Sequence, residues 1–335
     1  MRCRQANRMI NETKGRKSSR QQGFALVVVI VIMLLISFLA SQLILNVRTE
    51  LRVALNAKTH AAELCLAEGG VNLGLFRLLD KPVEYIDEDY EKFLQGYEYN
   101  AFLETGLLTY YVVNESGKLD LNKLNKPLLE LFLEYMKIEA DEREVIMDSL
   151  LDWQDSDDLH RINGAELETY QALDDPYIPR NGRIMDPAEF FLVHGAAPLA
   201  GLFKANEIFT VHNNSGSINF NSLTPMMLDF LTEGDAEKKK AYHEAQELYG
   251  NLTQEQARQI LGDERFDQCS AGLTYTSGNN KYYSIVARGE AGVDAEALAA
   301  RESENNNKTA ASEVRVLFEL RSTKVNYFAW EEGWS

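Results

Sequence analysis

The chain has 335 residues, enough for one large domain or two smaller ones, and a formal net charge of −17. The charge is unevenly placed: seven bases and one acid precede Gly23, so that stretch carries +6 and the remainder −23. A portion this acidic is a poor partner for nucleic acid or anionic lipid, which argues against those function classes.

Reading from the N-terminus, the first element is the apolar run Phe24 to Leu45. As a helix it spans about 33 Å at ~1.5 Å per residue, enough to cross a bilayer. The basic flank stays in the cytoplasm, which places the rest of the chain on the other side. The run exceeds the apolar core of an ordinary secretory signal, about 7–15 residues, so the plain reading is an uncleaved signal anchor. Apolar or small residues then recur at Ala57, Ala61, Leu64, Val71, Leu75 and Leu78, so the helix continues past Arg48, Glu50, Arg52 and Lys58. Gly69-Gly70 weakens it and permits a bend, and Pro82 closes it. Cys65 lies on this pattern, which favours a buried thiol over a Cys65–Cys269 disulfide.

Four stretches rich in β-branched and aromatic residues read as strands: 106–113, 281–291, 313–321 and 325–332. In the third, Val314, Val316, Phe318 and Leu320 alternate, so one face is buried. The four predict an antiparallel sheet packed on the long helix, with a polar loop ending at ESENNNK, 302–308. An internal echo stands apart from them. SGKLDLNKLNKPLL begins at Ser116 and SGSINFNSLTPMML at Ser215, each a strand end, then Asn122 or Asn221 near a helix start. The segment between the copies is mostly helical, and 224–261 adds further short helices. Two copies are too few for a solenoid.

Two resemblances follow from these residues. A basic leader ending in Gly23-Phe24 before an apolar helix resembles the type IV prepilin leader. That implies cleavage after Gly23 by prepilin peptidase and methylation of Phe24. The family usually has Glu at the fifth mature position; here it is Val28. A carboxylate in lipid is costly unless paired. In the family it meets the N-terminal amine of a neighbouring subunit, so an apolar residue suits a subunit with none ahead of it, at a filament tip. The ordered set SGKLDLN, LLDWQDSDD with NGAE and Tyr170, DPYIPRNG, AEFFLVHG and SGSINFN then resembles the K-type minor pseudopilin of type II secretion systems.

That resemblance implies an α+β fold: a pilin-like long N-terminal helix packed on an antiparallel sheet, with a large inserted helical (SAM-like) domain. The divisions are leader 1–23, transmembrane helix 24–45, amphipathic helix and first part of the head 46–120, insert 121–213 and remaining head 214–335. It implies a single-pass protein of the bacterial inner membrane, its N-terminus cytoplasmic and its head periplasmic. Its place is the tip of the pseudopilus, with I- and J-type minor pseudopilins, where it helps start assembly and so export through the outer membrane. Contact with the secretin or exported cargo belongs to the same expectation. The alternatives are a minor pilin of a type IV pilus or DNA-uptake system, and a signal-anchored calcium-dependent periplasmic enzyme.

The acidic segment is the one constellation with a plausible ligand. From Asp141 to Tyr170 ten acids face two bases, and Asp152, Asp155, Asp157 and Asp158 fall within seven residues. Calcium takes about six to eight oxygens from carboxylates and carbonyls, and a dense Asp loop closed by Glu166 suits it, although the spacing is not that of an EF-hand. The bland alternative is a solvated loop with Asp155 or Asp157 capping a helix. The K-type resemblance implies calcium binding, with Asp155, Asp157 and Glu166 as first candidates, then Asp152, Asp158 and Asp175. Trp153 reads as a half-buried anchor of the insert. The five histidines are scattered without a catalytic pairing, so no enzyme is expected. The repeated Asn-Leu units also resemble helix-hairpin-helix modules. The first lacks a hairpin glycine, however, and the surrounding charge repels phosphate, so no nucleic acid is expected.

Overall fold

The computed structural model describes residues 19–80, 93–298, 311–322 and 324–334. Pro82, the stretch 302–308 and all the leader bases except Arg20 lie outside the described residues. The chain divides into two units, Met1–Thr59 and His60–Ser335. Helix α1 (Ser19–Leu79) runs 61 residues. From Phe24 on it is long and apolar enough to cross a membrane, by length and composition. Its side chains from Phe24 to Leu45, Val28 among them, are exposed, as lipid-facing residues would be.

In the second unit, the end of α1 packs on a sheet. Strand β1 (Tyr99–Leu103) turns into β2 (Gly106–Asn114), and the chain then leaves the sheet for most of its length. On the way come β3 (Leu119–Asp120), α2 (Lys126–Tyr135), α3 (Ala140–Gln154), α4 (Leu167–Gln171), α5 (Ala205–Ile208) and β4 (Phe209–Thr210). These are followed by β5 (Ile218–Asn219), α6 (Pro225–Leu231), α7 (Ala236–Tyr249), α8 (Gln254–Leu261), α9 (Asp263–Cys269) and β6 (Leu273–Thr274). The sheet resumes with β7 (Tyr282–Ala291), β8 (Ser312–Arg321) and β9 (Lys324–Trp334). Its order is β1-β2-β7-β8-β9, every pair antiparallel. The four expected strands are all present, and β1 adds a fifth.

Alternation gives the sheet two faces. Leu108, Tyr110, Val112, Ile285, Ala287, Val314, Val316 and Phe318 share one buried cluster with Leu66, Ala67 and Val71 of α1. Tyr111, Val113 and Val286 point the other way. One helix runs through Gly69 and Gly70 without a break. These glycines serve packing instead. A Cβ at Gly70 would stand 2.8 Å from Ala287 Cβ, and one at Gly74 would stand 3.1 Å from both Tyr110 Cδ2 and Val112 Cγ2. Absence of side chains lets helix and strands approach closely, which outweighs the weak helix propensity of glycine. Cys65 points away from this contact and is exposed, contrary to the buried thiol expected; Cys269 is the buried one, and both are free.

The helical portion has its own core, a buried cluster from Leu119 to Leu273 that includes Phe132, Trp153, Tyr170, Phe190, Phe209 and Phe230. It includes residues of α2 and α3 and of α6 to α9, on both sides of position 213. The two echo motifs open onto two parallel pairs, β3 with β4 and β5 with β6. Asn122 and Asn221 are not the caps. Asn125 caps α2 by accepting from Leu128 N, and Thr224 caps α6 by accepting from Met227 N. Asn122 instead holds Ile184 by both backbone groups, accepting from its N–H (2.8 Å) and donating to its carbonyl (2.9 Å). Asn221 holds Leu252 in the same way, at 2.7 and 2.9 Å.

Where the chain leaves the sheet, a buried ion pair fixes the junction. Glu115 is 3% and Lys118 2% exposed. Glu115 Oε1 accepts from Lys118 Nζ and from Ser284 Oγ, and Oε2 accepts from Thr210 Oγ1, each at 2.5 Å. Burial acts to raise the carboxyl's pKa. The Lys118 charge and these three hydrogen bonds outweigh it and hold Glu115 below the usual carboxylate range. Its contribution to stability is therefore present above the ordinary carboxylate pKa and lost as pH falls through the depressed value. Lys118→Met is expected to cost about 3–5 kcal/mol in urea unfolding, because it strands a buried charge. The stability gap between wild type and Glu115→Gln is expected to be widest at neutral pH and to shrink below about pH 4.

Candidate functional site

The acidic segment folds into a loop on the end of α3. Glu144, Asp148 and Asp152, four residues apart, share one helical face, and Asp155 caps the C-terminus. The following loop returns over this face. Asn163 N donates to Asp148 Oδ2 (3.2 Å) and Asn163 Nδ2 to Glu144 Oε2 (3.2 Å). Arg161 N donates to Asp152 Oδ2 (3.1 Å), and its guanidinium bridges Asp152 Oδ1 and Asp155 Oδ2. Gly164 makes the return possible, because a Cβ there would overlap Asp152 Oδ2.

Glu166 follows at the N-cap position of α4, but its side chain makes no capping bond. It is 5% exposed, and neither carboxylate oxygen has a hydrogen-bond partner. Its pKa is pushed up to about 7, first by burial and then by the charges of Asp152, Asp155, Asp158 and Asp157. Two more buried oxygens of this region, Asp155 Oδ1 and Asn181 Oδ1, also lack a donor. Asn181 belongs to the loop, since its Nδ2 reaches Asp157 O at 3.5 Å and Asp158 Oδ1 at 3.4 Å. Trp153 anchors the loop to the core. It is 3% exposed and meets Tyr170 edge-on at 5.3 Å, so it is more deeply buried than its sequence context suggests.

The charges of Asp152, Asp155, Asp157 and Asp158 therefore all act on Glu166. Asp175 is exposed, and no hydrogen bond or ion pair is found for it among the described residues. Arg161 and Asn181 are members that spacing arguments miss: one is a base inside an acidic run, the other lies some twenty residues downstream. The PRNG turn, where Asn181 adopts a left-handed φ of 45°, is the available signal. Among the described residues, no group of three or more His, Cys, Asp or Glu is drawn together as a metal site. Arg161 occupies the place between Asp152 and Asp155. Four buried oxygens of this region are without donors, two of them on a carboxylate that resists ionisation.

An acid whose folded pKa lies above its unfolded value favours the folded state when protonated. Its contribution therefore declines as pH rises from the ordinary carboxylate range through about 7. In chelator, Glu166→Gln is expected to melt above wild type at pH 8, with the difference vanishing near pH 4. Equal melting temperatures at pH 8 would show that Glu166 is not strained.

Residues 110–200 match the family model of the type II secretion system protein K, in its first domain. The match begins in β2 and contains the whole acidic loop. No curated protein matches the chain. Among solved structures, a chain of the GspK-GspI-GspJ complex from the enterotoxigenic Escherichia coli type 2 secretion system is similar. It has 16% identity and a TM-score of 0.49, over 84% of this chain and 99% of that one. The family matched over residues 110–200 is the one that the chain's ordered motifs resemble.

Proposed function

We propose that this protein is a minor pseudopilin at the tip of the type II secretion pseudopilus, where it helps start assembly and so drives export across the outer membrane. The observation that carries this reading is the K-family match over 110–200, which begins in β2 and runs into the helical portion of a chain whose N-terminal helix is apolar enough to span a membrane. Val28 supports the tip position, since it stands where the prepilin family usually places a carboxylate. The K-type resemblance supplies the I- and J-type minor pseudopilins as partners, prepilin peptidase as the processing enzyme, and the secretin or cargo as what the tip meets. It also supplies the orientation in the inner membrane, with the head in the periplasm. A structural role accords with the dispersed histidines; the acidic loop then braces the head.

The mass of the N-terminal peptide of native protein extracted from membranes tests this first. Expected is a chain beginning at N-methylated Phe24. An intact leader in cells with active prepilin peptidase would overturn the pseudopilin reading.

The same reading extends to the acidic loop, which we infer holds Ca²⁺ through Asp155, Asp157 and Glu166, with Asp152 or Asp158 and the Asn181 carbonyl beside them. The unpartnered oxygens support it. Calcium at 100 times its dissociation constant is expected to stabilise wild type by about 2.7 kcal/mol. The double variant Asp157→Ala, Glu166→Ala is expected to show no such gain. An equal calcium response in both proteins would remove the metal from this loop.

A further inference from the structure

Strand β9 is an edge, since the sheet order ends there. An edge exposes a row of backbone donors and acceptors, and proteins commonly blunt it by brevity, proline or lysine. The other edge, β1, is only five residues long. β9 is eleven residues, KVNYFAWEEGW, with no proline and a lysine only at its first position. Its one irregularity is a bulge opposite Leu317 and Phe318, which leaves Phe328 without a partner in the register. Phe328 turns to the far face and packs near Tyr282 at 5.7 Å and His212 at 6.0 Å.

The bulge also decides where the neighbouring aromatics lie. Tyr327 pairs with Phe318 and Trp330 with Val316, so both continue the apolar face on which α1 packs. Phe318 and Val316 are fully buried, whereas Tyr327 is 52% and Trp330 44% exposed. Their rings lie 6.2 Å apart and form a ledge beside an open edge. At the end of the ledge stand Glu331 and Glu332, both exposed.

We propose that β9 is a docking edge for an extended segment of another protein, added as a sixth strand. Its apolar side chains would cover Tyr327 and Trp330, and its basic side chains, on the alternate face, would lie opposite Glu331, whose register partner Arg315 is off the apolar face. Open backbone groups call for a strand, since a helix cannot pair with them. The acidic pair calls for a basic strand. A second copy of this chain is a poor occupant because each copy carries −17. The inference uses only the geometry and charge of β9 and stands apart from the pseudopilin reading.

The test uses the full chain in detergent micelles and three ten-residue probes read by fluorescence anisotropy: alternating Lys-Val, alternating Glu-Val, and Lys-Val methylated on alternate backbone nitrogens. Lys-Val is expected to bind at least about tenfold tighter than either of the others, because methylation removes edge donors and Glu repels the acidic pair. Glu331→Lys with Glu332→Lys is expected to reverse the preference towards Glu-Val. Tyr327→Lys with Trp330→Lys is expected to abolish binding of both. Equal binding of the methylated probe, or a preference unmoved by charge reversal, would overturn the proposal. So would dimerisation of the chain that the Tyr327 and Trp330 variants abolish, which would give the edge to a second copy.

Discussion

The carboxylate of Glu115 is where the sheet and the helical portion are joined. It sits just past the end of β2, and its three donors come from three places: Lys118 on the outgoing chain, Thr210 in β4, and Ser284 in β7. Charges are taken out of water only at a cost of several kcal/mol each, so such a pair survives where good geometry satisfies it fully. Here each Glu115 oxygen has a donor. The result is positional. An apolar contact could slide, but a carboxylate with directed donors fixes where a segment of more than 150 residues leaves and re-enters one sheet.

Beyond that junction the echo motif does the same job twice. Asp120 Oδ1 accepts from Asn122 N, and Asn219 Oδ1 accepts from Asn221 N, so both motifs make the same tight turn. The next asparagine then holds a distant segment by its peptide N–H and carbonyl, Ile184 in one case and Leu252 in the other. A side-chain amide mimics a strand neighbour and satisfies backbone groups that a buried irregular segment could not leave unpaired. Asn213, which donates to the Ser116, Lys118 and Ser217 carbonyls, links the second motif back to the first. The repetition in sequence is therefore a repetition of this junction chemistry.

Local alternation made β2, β7, β8 and β9 legible, because one buried face writes itself into every second residue. β1 was not legible: YNAFL has a single buried position, Tyr99, and its pairing depends on the turn into Gly106 at a φ of 148°. The role of Gly70 was hidden for a related reason. Propensity describes a helix alone, whereas the decisive neighbour, Ala287, lies more than 200 residues away in sequence. The echo was visible, but its asparagines stand three residues before the true caps, and their partners cannot be inferred from spacing. In the acidic segment, composition identified the carboxylates that gather and also one, Asp175, that does not. Composition could not show that Arg161 folds back onto Asp152 and Asp155, or that Glu166 is left without a donor.

That last absence is best weighed against the chain's other buried carboxylates. Seven besides Glu166 are buried among the described residues: Glu63, Glu115, Asp120, Asp152, Glu189, Glu313 and Glu319. Each accepts at least one hydrogen bond, as Glu63 does from Ser312, Glu189 and Glu313 from arginine and lysine side chains or backbone N–H groups, and Glu319 from Arg321. Seven of these groups are satisfied, two of them (Glu115 and Glu189) with three or more donors, and the eighth is the exception. Glu166 differs in facing four aspartates instead of a donor. An extra arginine would neutralise such a site permanently. With four aspartate charges acting on it and no donor, Glu166 favours the folded state while it is protonated, and that contribution declines as pH rises through about 7.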